Sequence, residues 1–429
     1  MNIGNCVLCG VGVGIGYLIV RNTCFSPSLE TVKKSKKTDS PDETNPVTTL
    51  FLKTSYFSLV PENDLIQRTF QILSTFPIST GFIFTSNIVT LAHKIPQIAK
   101  DAGRIHSFVV LYKEKLCKEA CNNERDIYIR PRESGVSRAL QFTQTGRVIV
   151  HLNRTKYGDQ ILGEGSFKKI TTAVDLESLK VFASASFKKF DDTEPGILQR
   201  LTGTKGLVQV HHSVTYGSEK IRLLLELYDE GDLLNKIQKT TLEDQKQILN
   251  DLVTTLSILH QKGYLHRDLK LENIFLNKEY PGGPLRAFIG DLGFTCERTN
   301  EKERNIPLGS LIYTSPEYAK ALLVREQKDN LEKILISSVT TEARDIWSLG
   351  LILSSLLHFF IPKWTANGIS KVEVFKMIID YTEPPEPLEH SPEHLAWRML
   401  RKDPEKRISA EEAKEQLSCI KWSSTPQNY

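Results

Sequence analysis

The sequence predicts an α+β protein with two lobes, a small β-rich lobe followed by a larger helical lobe. From about residue 138, short runs alternate apolar and polar residues between turn-forming residues, which is typical of strands. From about residue 241, apolar residues recur at helical spacing, for example in LEDQKQILNDLVTTLSILHQKGY. Because a β-rich half precedes a helical half, we expect a cleft between the lobes and a functional site within it.

The composition is that of an ordinary globular protein. The 429 residues are 40% hydrophobic and 25% charged, and the formal net charge is only +4. No basic stripe interleaved with aromatic residues is present, so we expect no nucleic-acid partner. The seven cysteines are too few for a disulfide scaffold and odd in number, which favours a reducing compartment.

An uncharged apolar run lies near the N-terminus. Residues 6–20, CVLCGVGVGIGYLIV, carry no charge, and Arg21 and several lysines follow them. Such a run is close to the lower limit of about 17 residues for a spanning helix. We therefore interpret residues 1–24 as a membrane anchor that leaves the rest of the chain facing the cytoplasm. The alternative is a buried apolar leader on a cytoplasmic protein.

The next two segments carry no chemical motif. Residues 25–49 are rich in Ser, Thr, Pro and Lys, as a polar linker is. Residues 50–137 are interpreted as a small helical region of unknown role, because helical spacing recurs at Glu62–Phe76 and Ile105–Ala120. The remaining residues, 138–429, are predicted to form the main domain, with its core motifs at 161–415.

A glycine-containing stretch, ILGEGSFKKI, covers residues 161–170. Gly163 and Gly165 would let the backbone of a β-turn approach phosphate groups, with N–H groups facing the oxygens. On its own, the stretch fits an ordinary hairpin equally well. Further along the chain, Lys188 ends a predicted strand, and Glu194 is the only glutamate between Lys188 and Leu201.

Two later stretches carry polar groups in a more specific order. HRDLKLEN follows the amphipathic helix and contains Asp268, Lys270 and Asn273. IGDLG follows the next apolar run and contains Asp291. Phosphoryl transfer requires a carboxylate that can accept a proton, a positively charged side chain, and oxygen-bearing side chains suited to Mg²⁺. These two stretches contain all of these groups.

Taken in this order, the motifs resemble those of the eukaryotic-type serine/threonine protein kinases, over about residues 157–415. The resemblance implies a bilobal kinase-like fold, ATP and Mg²⁺ as cofactors, and a protein substrate with a Ser or Thr hydroxyl. It implies that Asp268 is the catalytic base and that Lys270 neutralises charge on the transferred group. Asn273 and Asp291 would hold Mg²⁺.

The resemblance also implies a set of nucleotide contacts. Lys188 would contact the α- and β-phosphates and pair with Glu194, although the six-residue spacing between them is short. Lys168 stands where the family has a third glycine, and we expect it mainly to stiffen the loop. The other implied nucleotide-binding residues lie in the glycine loop and the hinge: Leu162, Gly163, Glu164, Gly165, Ser166, Phe167, Ile170, Glu226 and Tyr228.

Features after the catalytic motifs give further expectations. Ser310 should hydrogen-bond Asp268 and Lys270, and Asp345 should hold the backbone of the catalytic loop. Arg407 should pair with Glu317, and the long segment between Glu317 and Asp345 should contain an inserted helix in DNLEKILISS. Candidate phosphorylation sites are Thr295 and Thr299, and a further hypothesis is that Glu301 and Glu303 substitute for a phosphate near Arg267.

Two other functions compete with catalysis. A catalytically weak, membrane-tethered pseudokinase scaffold is favoured by Lys168, Ser186 and the short spacing from Lys188 to Glu194. A small-molecule phosphotransferase is a second alternative. The SPE segment and Ser310 argue against it, because in the family they form a platform for peptides.

Overall fold

A computed structural model of the chain describes residues 101–422, except 132, 137, 153–160, 165–167, 188–192, 217–219, 327–334, 361 and 366–367. The leader at 1–24, the linker at 25–49 and the segment 50–100 lie outside the described residues. Within the described ranges, no helix combines the length and the apolar character needed to cross a membrane. The predicted two-lobed α+β architecture is confirmed.

Strands of the first lobe form one eight-stranded antiparallel sheet. Its order is β1-β2-β3-β5-β6-β8-β7, and β4 pairs with β5 off this path. The sheet begins at Ile127, ahead of residue 138, where the sequence pattern placed the start of the domain. The strands are β1 Ile127–Ile129, β2 Ala139–Phe142, β3 Val148–Leu152, β4 Ile161–Glu164, β5 Lys168–Asp175, β6 Val181–Phe187, β7 Val210–Tyr216 and β8 Lys220–Glu226.

Two of these strands, β3 and β4, share one partner. Both run antiparallel to β5: Leu152 pairs with Thr172, and Ile161 pairs with the adjacent Thr171. Residues 153–160 therefore separate two segments that occupy consecutive positions along β5. The strand that leads into the glycine loop is in effect a continuation of β3.

A helix covers one face of this sheet. The helix predicted at Ile105–Ala120 is present as α1, Ala102–Asn122. Its apolar residues Ile105, Phe108 and Val109 recur at helical spacing and are buried against β2 and β3, in one cluster with Leu140, Phe142 and Val148. Burying a side chain of this size contributes about 1.5–3 kcal/mol, so the helix is a structural part of the lobe.

The ends of the sheet curl towards each other. Tyr128 on β1 and Tyr216 on β7 have ring centroids 4.5 Å apart. The guanidinium group of Arg222 lies 5.2 Å from the first ring and 5.4 Å from the second. Arg222 is only 3% exposed, so the two aromatic rings partly replace the hydration of a buried cation.

A chain of hydrogen bonds runs through the interior of this curled sheet. Arg222 donates to Ser184 Oγ at 2.9 Å, and Ser184 lies 3.0 Å from His151 Nδ1. His151 Nε2 lies 2.9 Å from Gln141 Oε1, and the Gln141 amide donates to Asp126 at 2.7 Å. Burial, together with the charge of Arg222, holds the pKa of His151 well below its usual range, so the ring is neutral. The chain of bonds then has a single direction, in which Ser184 donates to Nδ1 and Nε2–H donates to Gln141.

The second lobe is built around two long helices, Leu242–Gln261 (α4) and Glu342–Leu356 (α8). Helix α4 begins with a capping box formed by Thr241 and Asp244, and its apolar residues from Ile248 to Leu259 are buried at helical spacing. The helices that follow α1 are α2 Thr193–Arg200, α3 Leu233–Lys236, α4 Leu242–Gln261, α5 Glu301–Arg304, α6 Pro316–Glu326, α7 Ile336–Val339, α8 Glu342–Leu356, α9 Lys371–Ile379, α10 Pro392–Met399 and α11 Ala410–Gln416.

Short strands and single helical turns connect the helices of this lobe. Strands β9, β11 and β12 form a sheet in the order β12-β11-β9, and β10 pairs with β13. Residues 327–334, where most of the inserted helix was predicted, lie outside the described residues. The strands are β9 Gly231–Asp232, β10 Tyr264–Leu265, β11 Ile274–Lys278, β12 Leu285–Ile289 and β13 Cys296–Glu297.

Candidate active site

The catalytic loop lies between β10 and the single helical turn Leu271–Asn273. Its backbone is held by Asp345 of α8, which accepts hydrogen bonds from the N–H groups of His266 at 2.7 Å and Arg267 at 2.8 Å. Burial alone would raise the pKa of Asp345, but the hydrogen bond with His260, 3.1 Å away, and the backbone donors hold that pKa below its usual range. The predicted role of Asp345 in holding this loop is confirmed.

Asp268 lies at the centre of this loop and is 7% exposed. Ser310 Oγ donates to one of its oxygens at 2.7 Å, and Lys270 Nζ donates to the other at 3.0 Å. Lys270 also lies 3.2 Å from Ser310 Oγ. The predicted contacts of Ser310 are confirmed, and the Asp268 carboxylate is fixed from both sides in the cleft.

Asn273 and Asp291 lie next to this group on neighbouring chain segments. The Asn273 side-chain amide donates to the Asp268 carbonyl at 2.9 Å, and the Asn273 carbonyl accepts from the N–H of Gly290 at 2.9 Å. Asp291 directly follows Gly290 and has φ +55°, a left-handed backbone conformation that is uncommon outside glycine. These bonds bring the four polar residues predicted from the two motifs into one region.

Lys168 reaches the same region from the first lobe. It is the first residue of β5, and its Nζ lies 2.5 Å from Glu194 Oε1 of α2 and 2.5 Å from Asp291 Oδ1. Burial alone would lower the pKa of Lys168, but the charges of Glu194 and Asp291 raise it above its usual value. The ammonium group thus lies between two carboxylates, and the expectation that Lys168 mainly stiffens the loop stays a prediction.

The lysine assigned from the sequence as the phosphate ligand, Lys188, lies outside the described residues, as do Gly165, Ser166 and Phe167. A signal for Lys168 was nevertheless present in the sequence. Strand β6 contains four consecutive small residues, Ala183 to Ser186, so it offers no long cationic side chain over this stretch. On the neighbouring strand β5, by contrast, the first residue is Lys168, whose ammonium group reaches Asp291.

The rest of the glycine stretch is placed by its backbone pairing. Gly163 pairs with Ile170 and Glu164 pairs with Lys169 across β4 and β5. Leu162 is 45% exposed, whereas Ile170 is half-buried and packs against the main apolar cluster. An antiparallel strand pair therefore flanks residues 165–167, which themselves lie outside the described residues.

At the hinge, Glu226 and Tyr228 have different surroundings. The N–H of Glu226 donates to the carbonyl of Gln209 at 2.9 Å, and its carboxylate binds Lys180 at 2.7 Å and also His211. Tyr228 is 8% exposed, and burial raises the pKa of its hydroxyl. Both side chains have structural contacts, so any contact of these residues with a nucleotide would come from the backbone.

The segment from Gly293 to Pro316, here called the activation segment, is attached to Arg267 through a backbone carbonyl. Arg267 donates to the carbonyl of Ile306 at 2.7 Å, whereas Glu301 accepts from Ser337 at 3.4 Å. The hypothesis that Glu301 and Glu303 stand in for a phosphate at Arg267 therefore gains no support from these bonds. Of the two candidate phosphorylation sites, Thr299 is exposed and Thr295 is 3% exposed.

Arg344 of α8 also holds the end of this segment. Its guanidinium group donates to the carbonyls of Arg267, at 3.0 Å, and Leu308, and lies 3.7 Å from the ring centroid of Tyr318. The hydroxyl of Tyr318 is in turn bonded to both backbone groups of Leu308. A buried cation therefore joins the catalytic loop directly to the segment that precedes Ser310.

A cavity of about 360 Å³ lies beside Ser310, between the activation segment and helices α6 and α9. Its lining is about equally polar and apolar: leucine and aromatic side chains share it with two cationic side chains, at α6 and α9. The residues that form it are Pro307, Leu308, Gly309, Leu311, Thr314, Tyr318, Leu322, Arg325, Lys371 and Phe375.

Glu317 at the start of α6 is paired with Arg407. Arg407 Nη1 and Nη2 each donate to a different oxygen of Glu317 at 2.7 Å. This is the predicted ion pair, in the bidentate geometry that guanidinium and carboxylate groups favour. The ion pair fixes the beginning of α6, one of the helices that line the cavity, to Arg407.

A β-rich lobe followed by a helical lobe, with these groups between them, is the architecture of a kinase-type domain. The protein kinase domain family matches residues 158–417, more than half of the chain, and the chain belongs to that family. The resemblance to eukaryotic-type serine/threonine kinases is thereby confirmed.

Curated relatives share this region. A CDPK-related protein kinase of Daucus carota is 30% identical over 261 residues, 59% of this chain and 37% of that protein. CDPK-related kinase 8 of Arabidopsis thaliana is 31% identical over 252 residues, 57% of this chain and 36% of that protein. Calcium-dependent protein kinase 12 of Oryza sativa subsp. japonica is 28% identical over 284 residues, 63% of this chain and 50% of that protein. The chain thus spans half or less of the length of these relatives.

Proposed function

We propose that the protein is a serine/threonine kinase that transfers the γ-phosphate of ATP to a protein hydroxyl, with Asp268 as the catalytic base. The observation that carries this proposal is the Asp268 carboxylate, held by Ser310 at 2.7 Å and Lys270 at 3.0 Å at the mouth of the cleft. Membership of the kinase family supports it.

The chemistry follows from what each residue can hold. Asp268 accepts the proton of the substrate hydroxyl as the oxygen attacks phosphorus, and its fixed position orients that oxygen. Lys270 lies beside it and stabilises negative charge on the transferred group. Ser310 keeps the carboxylate in place while the substrate enters.

The oxygen donors near Asp268 fit Mg²⁺. The Asn273 amide nitrogen donates to the Asp268 carbonyl, so its amide oxygen remains as an acceptor for a cation. Burial would raise the pKa of Asp291, but the charge of Lys168 lowers it, and the carboxylate is ionised. One amide and one carboxylate oxygen suit a metal that takes its other ligands from phosphates and water. Mg²⁺ held there would neutralise charge on the phosphates.

The cavity beside Ser310 supports a peptide substrate. The cavity lies next to Ser310, and its lining includes the apolar side chains of Leu308, Leu311, Leu322 and Phe375. We propose that it receives an apolar side chain next to the acceptor Ser or Thr. Arg325 and Lys371 at its lining favour an acidic residue close by.

One of the features that favoured a pseudokinase scaffold now supports catalysis. Lys168 was counted against activity because it replaces a glycine, yet its ammonium group lies 2.5 Å from both Glu194 and Asp291. A cation in that position is what a nucleotide phosphate requires.

The test is a phosphorylation assay on the full chain with radiolabelled ATP, Mg²⁺ and a generic Ser/Thr protein substrate. We expect Asp268→Asn to lower turnover by about 10²–10⁴-fold, because it removes the base and keeps the shape. The matched control is Asp380→Asn, an exposed aspartate in the C-terminal lobe. Equal incorporation by wild type and Asp268→Asn would show that Asp268 is not the catalytic base. No incorporation by wild type with several substrates would overturn the proposal in favour of the scaffold.

A further inference from the structure

We propose that Lys168, at the start of β5, is the cation that binds the ATP phosphates in this protein, in the role that the sequence pattern gave to Lys188. The inference rests on the proposed function, because it concerns the same nucleotide. Lys168 Nζ lies 2.5 Å from Glu194 Oε1 and 2.5 Å from Asp291 Oδ1, so it joins α2 of the first lobe to the metal-binding carboxylate.

Glu194 gives the ammonium group its position. The glutamate is 4% exposed at the beginning of α2, and a buried carboxylate needs a cation close by. The α2 helix is short, Thr193–Arg200, so Glu194 can be placed only near its first turn. From there, the side chain meets a lysine that enters from β5.

The strand next to β5 does not provide a cation at this level. Across β5 and β6, Lys168 pairs with Phe187, Lys169 with Ser186, and Ile170 with Ala185. Phe187 is 2% exposed and Ala185 is fully buried in the main apolar cluster. Among the described residues of β6, only small or apolar side chains are available, and Lys168 supplies the charge instead.

The nucleotide would use the remaining capacity of Lys168. An ammonium group has three hydrogens, and Glu194 takes one of them. Asp291 holds a second one here, and the same carboxylate is a proposed ligand of Mg²⁺. If Asp291 binds Mg²⁺ instead, two hydrogens of Lys168 are available to phosphate oxygens. Glu194 keeps the ammonium group in position through the remaining one.

The experiment compares three substitutions in the full chain: Lys168→Met, Lys188→Met and, as a matched control, Lys169→Met. The neighbouring Lys169 also lies on β5, paired with Glu164 and Ser186. Affinity for a fluorescent ADP analogue, with and without Mg²⁺, is measured for each, together with kcat/KM for phosphorylation. We expect Lys168→Met to weaken nucleotide binding by at least about tenfold and to lower kcat/KM by at least about 100-fold.

We expect Lys188→Met and Lys169→Met to stay within about threefold of wild type in both measurements. Strong loss in Lys188→Met with little loss in Lys168→Met would overturn the inference and restore the lysine assigned from the sequence. Failure of the proposed function gives a different result, because wild type would then transfer no phosphate while the binding order of the variants could still be measured.

A second variant separates ligand binding from a purely structural role. Lys168→Met leaves Glu194 buried beside a neutral side chain, which can destabilise the lobe. The double variant Lys168→Met/Glu194→Gln removes that charge, and its thermal midpoint should recover towards that of wild type. We expect its nucleotide affinity to remain at least about tenfold weaker. Recovery of affinity together with stability would show that Lys168 acts only as a structural partner of Glu194.

Discussion

The carboxylate of Asp345 accepts a hydrogen bond of 2.8 Å from the backbone N–H of Arg267, the residue immediately before the proposed catalytic base. Arg267 has φ +71°, a left-handed conformation that costs about 1–3 kcal/mol in a residue other than glycine. The same carboxylate binds the N–H of His266, so a single buried side chain of α8 fixes the course of the loop. The position of Asp268 therefore depends on a residue that does no chemistry.

Replacing Asp345 by Ala should reduce the free energy of unfolding by about 2–6 kcal/mol, because two buried N–H groups lose their acceptor at about 1–3 kcal/mol each. Asp345→Asn keeps one oxygen and should cost less. Urea denaturation of both variants, with Asp380→Asn as control, measures the difference. An unchanged midpoint for Asp345→Ala would contradict this account of the loop.

Acid should destabilise the first lobe through Asp126. Burial alone would raise the pKa of this carboxyl, but the nearby His212 ring, 3.6 Å away, and hydrogen bonds from Gln141 and the backbone N–H of Gln144 lower it. A folded-state pKa below the unfolded value means that the unfolded chain binds more protons at acid pH. The stabilisation is therefore complete above the usual Asp pKa of about 4 and is lost as the pH falls through the lower folded-state value.

Asp126→Asn should flatten this part of the pH dependence. The free energy of unfolding of wild type and variant, measured by urea denaturation at pH 5 and at several pH values below 4, should converge as the pH falls below about 4. Parallel curves for the two proteins over this range would show that Asp126 does not titrate between the folded and unfolded states.

Residues 101–157 should be required for a stable first lobe, although the family match begins at residue 158. Removing them exposes β5 along its pairing with β3 and breaks the hydrogen-bond chain from Arg222 to Asp126. We expect a chain that begins at residue 101 to unfold cooperatively and a chain that begins at residue 158 to be insoluble or to melt at a much lower temperature. Equal melting temperatures for the two chains would refute this.

The cavity beside Ser310 should select an apolar residue next to the phosphorylated position. In a degenerate peptide library, we expect Leu, Ile, Met or Phe to be enriched there. Leu322→Gln should raise the KM for such a peptide by about tenfold or more, since an apolar pocket discriminates by about 1–3 kcal/mol, and leave the KM for ATP unchanged.

The control for this experiment is Leu388→Gln, which changes a leucine that is 67% exposed. Both variants make the same chemical change, so a loss in Leu322→Gln alone assigns the effect to the cavity. A flat library profile for wild type would show that the cavity does not read the substrate.

Thr295 should remain unmodified in the folded protein. It is 3% exposed, and its hydroxyl has no hydrogen-bond partner within the described part of the chain. Thr295→Val should therefore retain activity and be as stable as wild type or slightly more so, because an unsatisfied buried hydroxyl is removed. Mass spectrometry of the autophosphorylated protein should find phosphate at Thr299 rather than Thr295. Stoichiometric phosphate at Thr295 would contradict the burial argument.

Much of the catalytic region could be predicted from short stretches of sequence. Asp268, Asn273 and Ser310 lie in motifs whose residue identities report local chemistry directly, and the Glu317–Arg407 pair follows from the same family pattern. The helix at Ile105–Ala120 was predicted by its spacing, but its packing against β2 and β3 was not.

The structural features that the sequence did not indicate depend on pairing between segments that lie far apart in the chain. The addition of β1 to the sheet, ahead of the predicted strands, requires the register that places Ile127 opposite Phe142. The ion pairs of Lys168 require β5, α2 and the turn at Asp291 to meet, and they lie up to 123 residues apart in the sequence. Local patterns report what a residue can do, and only the register decides which of two lysines, 168 or 188, reaches a given carboxylate.

The division of the first strand into β3 and β4 gives the protein a natural insertion point. Leu152 and Ile161 pair with adjacent residues of β5, so we expect residues inserted between them to leave the pairing on both sides intact. Loop length itself costs little, about 0.6 kcal/mol for each doubling. A fluorescent or ligand-binding domain inserted there would be joined to the strand that carries the glycine loop, and it could report nucleotide binding without replacing any residue of the site.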